Sequence, residues 1–374
     1  MTAPLFLHVF STFVPAGPQV RVAKLLAAFG SEFRHVIVAM DGRTDARALL
    51  DSGLDVRFVD APSKAGSLAT VLRMRKLIAR AAPQLVLTYN FGAIDSVLAA
   101  RSLGLRVVHH EDGFLPDEVL AFKKRRVWLR RLACGGNARV VVISENLRRI
   151  ARERWHSAEP RLVFIPNGIE CARFSAADGH AQLRDELGIP RDALVVGAVG
   201  HLRPEKNLPR LLEAVAECAT RHDVHALILG EGPERNRLEA LAATPALRGR
   251  VHFAGYHPDP RAHYRAMDVF ALSSNTEQMP IALLESMASS LPVVATDVGD
   301  VRAMLPREAW DGVVALREPG TSAAFASALE RLLADRALRL ELGARNRRRV
   351  EQDFDFAVMV ARYRELYGAA LATR

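Results

Sequence analysis

Short β-branched runs alternate with longer amphipathic stretches along the whole chain, and this alternation limits the fold more than any other feature. In the first half the runs are residues 5–10, 36–39, 56–59, 85–88, 106–109, 140–143 and 163–165. Helical spacing fills the gaps, as in 20–29 and 68–82. Pro166-Asn167-Gly168 reads as a turn. A weakly patterned connector then runs through Asp178-Gly179-His180 to Gly188-Ile189-Pro190. A second series follows at 194–199, 226–229, 251–253, 269–272, 293–296 and 313–316. Strands that alternate with helices form parallel sheets covered on both faces. With 374 residues there is chain enough for two such α/β domains.

No apolar run approaches the roughly 20 residues of a membrane span. The first ten residues lack the basic start and cleavage site of a signal peptide and read as a strand. Cys134, Cys171 and Cys218 lie far apart, without metal-ligand spacing, so structural thiols in a reducing, cytoplasmic compartment are expected. The charge is uneven. Residues 1–170 carry 25 Lys and Arg against 15 Asp and Glu, whereas the remainder carries 26 against 27. A basic first half implies an anionic partner: a membrane surface, a phosphorylated acceptor or nucleic acid.

Glu277 and Glu285 bracket an apolar stretch, and Pro280 lies three residues after the first. Proline suits the first turn of a helix, and a helix start there would turn free N–H groups toward a phosphate. At 1.5 Å per residue the two acids stand up to roughly 12 Å apart, too far to share a metal or a proton. Such spacing suits two carboxylates gripping opposite ends of an extended ligand with phosphates between, the shape of a nucleotide-sugar. Upstream, Gly200-His-Leu-Arg203-Pro-Glu-Lys206-Asn follows the first strand of the second series. Ligands of open parallel sheets bind beyond the carboxyl ends of strands. There the planar fork of Arg203 and the point charge of Lys206 suit a pyrophosphate. Gly230, Gly232 and Gly255-Tyr256 also follow strands.

The segment 277–297 resembles the Glu-x7-Glu signature of family 4 glycosyltransferases, and Gly200 to Asn207 resembles the same family's Gly-x-x-Arg-x-x-Lys-Asn pattern. The resemblance implies a retaining enzyme of the GT-B fold, with two Rossmann-like domains facing across a cleft. It divides the chain into an acceptor domain, 1–170, a nucleotide-sugar domain, 171–353, and a final helix, 354–374, returning to the first domain. Glu285 would hold the ribose, and Glu277 the donor sugar's hydroxyls. Arg203 and Lys206 would neutralise the leaving diphosphate, with amides near Met279, Pro280 and Ile281 assisting. Gly230, Gly232 and Tyr256 would lie near the base or ribose. The co-substrate would be a nucleotide-sugar, a UDP-sugar foremost, with no cofactor and no obligatory metal. The acceptor would be a glycan or a lipid-linked intermediate of cell-surface polysaccharide or glycolipid synthesis. The chain departs from the family at Gln278, Asp300 and Ser289-Ser290, where small or glycine residues are usual. The family's paired glycines after the first strand are here Gly17-Pro18, and Pro18 removes one N–H.

In the first half, His109-His110-Glu111-Asp112 ends a strand where relatives carry a histidine close to the donor sugar. Asp112 and His109 are the foremost catalytic candidates of the four, and which one contacts the sugar is open. Lys123, Lys124, Arg125, Arg126, Arg130 and Arg131 surround Trp128. A helix of that kind suits an anionic bilayer at the inner face of the cell membrane, and equally a solvated surface. Asp353-Phe354-Asp355 is expected to start the last helix rather than bind a metal. A sugar-nucleotide epimerase sharing the GT-B fold is the second reading. Nucleic-acid binding, a third, would need more stacking aromatics than Trp128 supplies, so no nucleic-acid partner is expected.

Overall fold

Valine, isoleucine and leucine dominate the runs that form strands, and most of these side chains are buried, as continuous apolar runs in a sheet covered on both faces require. The computed structural model describes residues 3–63, 66–113, 123–136, 138–159, 161–174, 180–316 and 320–372. It divides into two compact units, residues 1–167 with 359–374, and residues 168–358. The boundaries at 170/171 and 353/354 expected from sequence thus lie a few residues from the divisions at 167/168 and 358/359. Residues 175–179 of the expected connector are outside the described residues.

Unit 1 holds seven parallel strands: β1 (Leu5–Phe10), β2 (Arg34–Ala39), β3 (Val56–Phe58), β4 (Leu85–Tyr89), β5 (Val107–Glu111), β6 (Arg139–Val142) and β7 (Leu162–Phe164). Their order is β3-β2-β1-β4-β5-β6-β7. Strand order reverses between β1 and β4, which opens a crevice at the carboxyl ends there. Among the covering helices are α1 (Gly17–Phe29), α2 (Ser67–Ala81), α3 (Ile94–Arg101), α4 (Lys124–Cys134) and α5 (Glu145–Trp155). Ser144 caps α5, its Oγ accepting from Leu147 N at 3.0 Å.

Unit 2 contains α6 (His180–Glu186) and six parallel strands: β8 (Leu194–Val199), β9 (Val224–Leu229), β10 (Val251–Gly255), β11 (Val269–Leu272), β12 (Val293–Thr296) and β13 (Val313–Val314). The order β10-β9-β8-β11-β12-β13 reverses between β8 and β11. Those strands are followed by the Arg203–Lys206 and Ser274–Glu277 segments. The topology therefore brings two sequence motifs some seventy residues apart to one edge. Further helices are α7 (Leu208–Cys218), α8 (Arg235–Ala242), α9 (Arg261–Arg265), α10 (Ile281–Ala288), α11 (Val301–Met304), α12 (Thr321–Ala334) and α13 (Arg336–Asp353).

The last helix, α14 (Phe356–Ala372), packs its C-terminal part in unit 1. Tyr367 meets Phe6 edge-on, its hydroxyl lies 3.1 Å from His110 Nε2, and Arg364 pairs with Glu32 at 2.7 Å. Asp353-Phe-Asp355 does not start this helix as a unit. Asp353 is the last residue of α13, held by Arg349 at 2.6 Å, while Asp355 accepts from Ala357 N at 2.9 Å.

Below Tyr367, His8, His35 and His110 are buried, with His8 Nε2 and His35 Nδ1 at 3.1 Å and His8 Nδ1 3.0 Å from the Tyr89 hydroxyl. Burial lowers His35 to about 4 and pushes His8 and His110 well below the ordinary histidine value. The folded state therefore refuses protons that the unfolded chain takes up below roughly 6.5. The sign follows. This stabilisation is complete above pH 6.5 and is lost as pH falls toward 4. At pH 5, His35 alone would cost about 2 kcal/mol of stability. Calorimetric melting is expected to show a lower Tm at pH 5 than at pH 7, with a shallower dependence in His35→Gln. A Tm independent of pH over that range would contradict the assignment.

Candidate active site at the sheet edge of unit 2

The loop after β8 is shaped by close backbone approach. A Cβ on Gly230 would lie 1.9 Å from Gly200 O, and one on Gly232 would lie 2.5 Å from both His201 Nδ1 and Leu202 O. These glycines let the loops after β8 and β9 touch, and Gly230 also takes φ of +140°. A side chain at either position would meet that contact. The β8 loop continues into the turn Pro204–Lys206, with Asn207 left-handed at φ +42°.

Lys206 Nζ donates to Glu277 Oε1 at 2.6 Å, and Ser274 Oγ donates to the same oxygen at 2.7 Å. Both partners of the ion pair are partly buried. The two loops are stitched together further. Asn275 N donates to Glu205 O at 2.8 Å, Ser273 Oγ to Lys206 O at 3.0 Å, and Thr296 Oγ1 to Ser274 O at 2.5 Å. Behind Glu277, Gly299 has φ of +55°, and a Cβ there would lie 2.4 Å from Glu277 O. Asp300 N donates to Gln278 O at 3.0 Å. Arg203 is exposed, 3.8 Å from Glu205. Lys206, Gly200, His201 and Ser274 line one small cavity at this edge.

Helix α10 begins here. Pro280 takes the cap position, with φ −69° and ψ 118°, one residue earlier than the first helical turn expected for it. Met279 and Pro280 are buried and Ile281 is exposed. Glu285 lies in the second turn, where its Oε2 accepts from the Tyr264 hydroxyl at 2.8 Å. Tyr256 follows β10 as an exposed side chain. The edge thus presents an exposed guanidinium, an ammonium, two carboxylates with assigned donors, and a helix N-terminus. That set can bind a phosphate and several hydroxyls.

In unit 1 the expected residues lie at the start of α1 and at the carboxyl end of β5. Gly17 is the first residue of α1, and a Cβ on it would meet nothing within 4 Å. His109 is buried, with Nδ1 2.8 Å from Thr88 Oγ1 and Nε2 3.3 Å from Glu111 Oε1. Asp112 is bound by Arg21 at 2.5 Å, both side chains being 8% exposed, and its N–H donates to Asn90 Oδ1 at 2.8 Å. His110 lies 3.1 Å from Thr88 O and the same distance from the Tyr367 hydroxyl. Among the described residues, each of the four from His109 to Asp112 has at least one interior partner.

Arg130 also leaves its expected group. It is fully buried, 2.6 Å from Glu111 Oε1 and stacked over Phe91 and Trp155. Burial raises the Glu111 carboxyl, but Arg130 and His109 outweigh this and hold it below its ordinary value. Arg126 is half-buried over Phe91, whereas Lys123, Lys124, Arg125 and Arg131 are exposed. The apolar residues of α4 split. Leu129 and Ala133 face inward, while Trp128, 60% exposed, and Leu132 face outward. On α2, Leu68 and Leu72 are 74% and 53% exposed, with Arg73, Arg75 and Lys76 beside them and no acid in the helix. Helix α2 packs on α3 and α3 on α4, so all three share one layer.

Ser274 and Tyr264, which hold the two glutamates, and the exposure of Leu68 and Leu72 were not legible in the sequence. The signals were present only as an offset: Thr70, Met74 and Ile78 form the buried stripe of α2, which leaves Leu68 and Leu72 off it.

Comparison with known proteins matches residues 180–349 to the family described as glycosyl transferases group 1, and residues 16–168 to the glycosyl transferase 4-like domain. Alpha-D-kanosaminyltransferase of Streptomyces kanamyceticus is 30% identical over 298 residues, 73% of this chain and 74% of that protein. The lipopolysaccharide core biosynthesis glycosyltransferase LpsE of Rhizobium meliloti is 34% identical over 183 residues. That match covers 49% of this chain and only about half, 52%, of LpsE. Among solved structures, Anabaena Alr3699/HepE in complex with UDP gives a TM-score of 0.83 at 19% identity, covering 97% of this chain and 99% of that one. At that identity the likeness is one of fold. The chain belongs to the glycosyltransferases, as a GT-B protein that joins a 4-like first domain to a group 1 second domain.

Proposed function

We propose that the protein transfers a sugar, with retention of anomeric configuration, from a UDP-sugar to a hydroxyl of a glycan or lipid-linked acceptor in cell-surface polysaccharide or glycolipid synthesis. Unit 2 binds the donor and unit 1 the acceptor. The observation that carries this reading is the Lys206–Glu277–Ser274 cluster in front of α10, at the switch point of the second sheet. Lys206 has three N–H donors, so it can hold Glu277 and a phosphate oxygen together. Arg203 lies exposed beside it.

As the bond from the sugar's anomeric carbon to the diphosphate oxygen breaks, negative charge grows on the leaving group. Arg203, Lys206 and the amides near Met279–Ile281 stabilise that charge more in the transition state than in the ground state. These fixed positive groups do the work without an obligatory metal. The acceptor oxygen bonds to the anomeric carbon on the face the diphosphate leaves, and the acceptor's proton passes to a diphosphate oxygen. Glu277 accepts hydrogen bonds from the sugar, and Glu285 from the ribose. UDP as the nucleotide is supported by the HepE complex, and the class of product by the name of LpsE.

The layer of α2 and α4 is proposed to rest on an anionic membrane. It offers two exposed apolar pairs one helical turn apart, Leu68 with Leu72 and Trp128 with Leu132, among cations. Each Lys or Arg close to such a surface contributes about 1 kcal/mol.

Calorimetric titration with UDP, GDP and ADP is expected to show one tight binder, UDP, with affinity at least about tenfold weaker in Glu285→Ala, the loss of one charged hydrogen-bonding group. Unchanged binding in the variant would place the ribose elsewhere. Sedimentation with phosphatidylcholine vesicles containing about one-third phosphatidylglycerol is expected to retain the protein at low salt. Binding is expected to fall in Trp128→Ser and at high ionic strength. Equal retention by uncharged vesicles would contradict the membrane role.

A further inference from the structure

Both glutamates of the pair are met by a hydroxyl donor, but the two donors differ in kind. Glu277 is held by the partly buried Ser274 hydroxyl together with Lys206. Glu285 is met by Tyr264, whose ring is fully buried on α9. That ring packs against Phe174 and Phe270, with centroids 6.1 and 6.0 Å away. The helix carrying it is fixed in turn. Arg184 of α6 donates to Ala266 O at 3.0 Å and pairs with Asp268 at 2.9 Å. The Tyr264 hydroxyl therefore has little freedom, and it faces two acceptors: Glu285 Oε2 at 2.8 Å and Ala282 O at 3.2 Å.

We infer that Tyr264 is a positioning residue: it fixes the rotamer of the Glu285 carboxylate so that the carboxylate meets the ribose of the donor. This rests on the donor site proposed above. A glutamate in the second turn of a helix has several side-chain torsions to lose on binding, at a cost of up to about 1.5–2 kcal/mol. A donor anchored in the core takes that loss before the ligand arrives. The hydrogen bond runs from a neutral hydroxyl to a carboxylate, a charge-assisted and directional contact. Burial, and then Glu285, push the Tyr264 hydroxyl well above its ordinary value, so it stays a donor throughout the physiological range. Tyr264 occupies one carboxylate oxygen, Oε2. A carboxylate accepts up to about four hydrogen bonds, so the bond to Tyr264 is compatible with ribose hydroxyls on the same group.

Tyr264→Phe removes one oxygen and keeps the ring, so the packing on Phe174 and Phe270 survives. The test is a double-mutant cycle in nucleotide affinity. UDP, GDP and ADP, with the 2′-deoxy form of whichever binds tightest, are titrated into wild type, Tyr264→Phe, Glu285→Gln and the double variant. Tyr264→Phe is expected to weaken binding about five- to tenfold and to narrow the preference for ribose over 2′-deoxyribose. In the Glu285→Gln background it is expected to change affinity less than about twofold, because its effect runs through the carboxylate. An equal fold-loss in both backgrounds, or unchanged affinity and ribose preference in Tyr264→Phe, would overturn the inference while leaving the donor site standing. Wild type binding none of the three would overturn both. Should Tyr264→Phe not fold, Glu285→Asp breaks the same contact from the other side and is expected to lose affinity and ribose preference alike. Full retention of both would again overturn it.

Discussion

The ion pair between Lys206 and Glu277 joins the two loops at the switch point of the second sheet, and the geometry of the site depends on it. The two residues are 71 positions apart, and the strand order alone brings them together. Exposed ion pairs contribute about 0–1 kcal/mol. This one is partly buried and reinforced by Ser274, whose carbonyl is held by Thr296 from the next strand. Gly299 then presses on the Glu277 backbone from behind, at a left-handed φ that a side chain would strain. The first glutamate is therefore constrained from its carboxylate and from its main chain.

The two sheets place charge at their carboxyl edges in opposite ways. In unit 1 the charged groups neutralise one another inside the fold: Arg21 with Asp112, and Arg130 with Glu111 and the rings of Phe91 and Trp155. Removing one member would leave a buried charge uncompensated, at a cost of about 3–5 kcal/mol. In unit 2, Arg203 is exposed and Lys206 partly so, and Glu277 and Glu285 are only partly buried. Charge that is fixed yet reachable is what a ligand can use, and among the described residues the β8–β11 edge of unit 2 presents it.

The fold was legible because buried parallel strands and the helices between them follow opposite apolar periods, and every run read as a strand became one. The ends were less so: β5 runs on to Glu111, since the carboxylate there is paired by Arg130 rather than solvated. Glu277, Glu285, Arg203 and Lys206 were legible as a group because fixed spacing within one loop or helix survives in the sequence. Their holders were not. Tyr264 lies 21 residues before Glu285, on another helix, and no local pattern links them. Arg130 reads as one of six cations in a basic run, and only the packing of α4 shows that it turns inward to a strand. The interior partners of His109 and Asp112 were hidden for the same reason: a polar strand end looks alike in sequence whether its partners are interior residues or a ligand.

The central claim is that a nucleoside diphosphate lies at the β8–β11 edge of unit 2. The most direct measurement is a crystal structure of the protein grown with UDP. The expected result is diphosphate oxygens within hydrogen-bond distance of Arg203 and Lys206, with ribose hydroxyls on Glu285. Nucleotide seated elsewhere, with Glu285 still bonded only within the protein, would contradict the account.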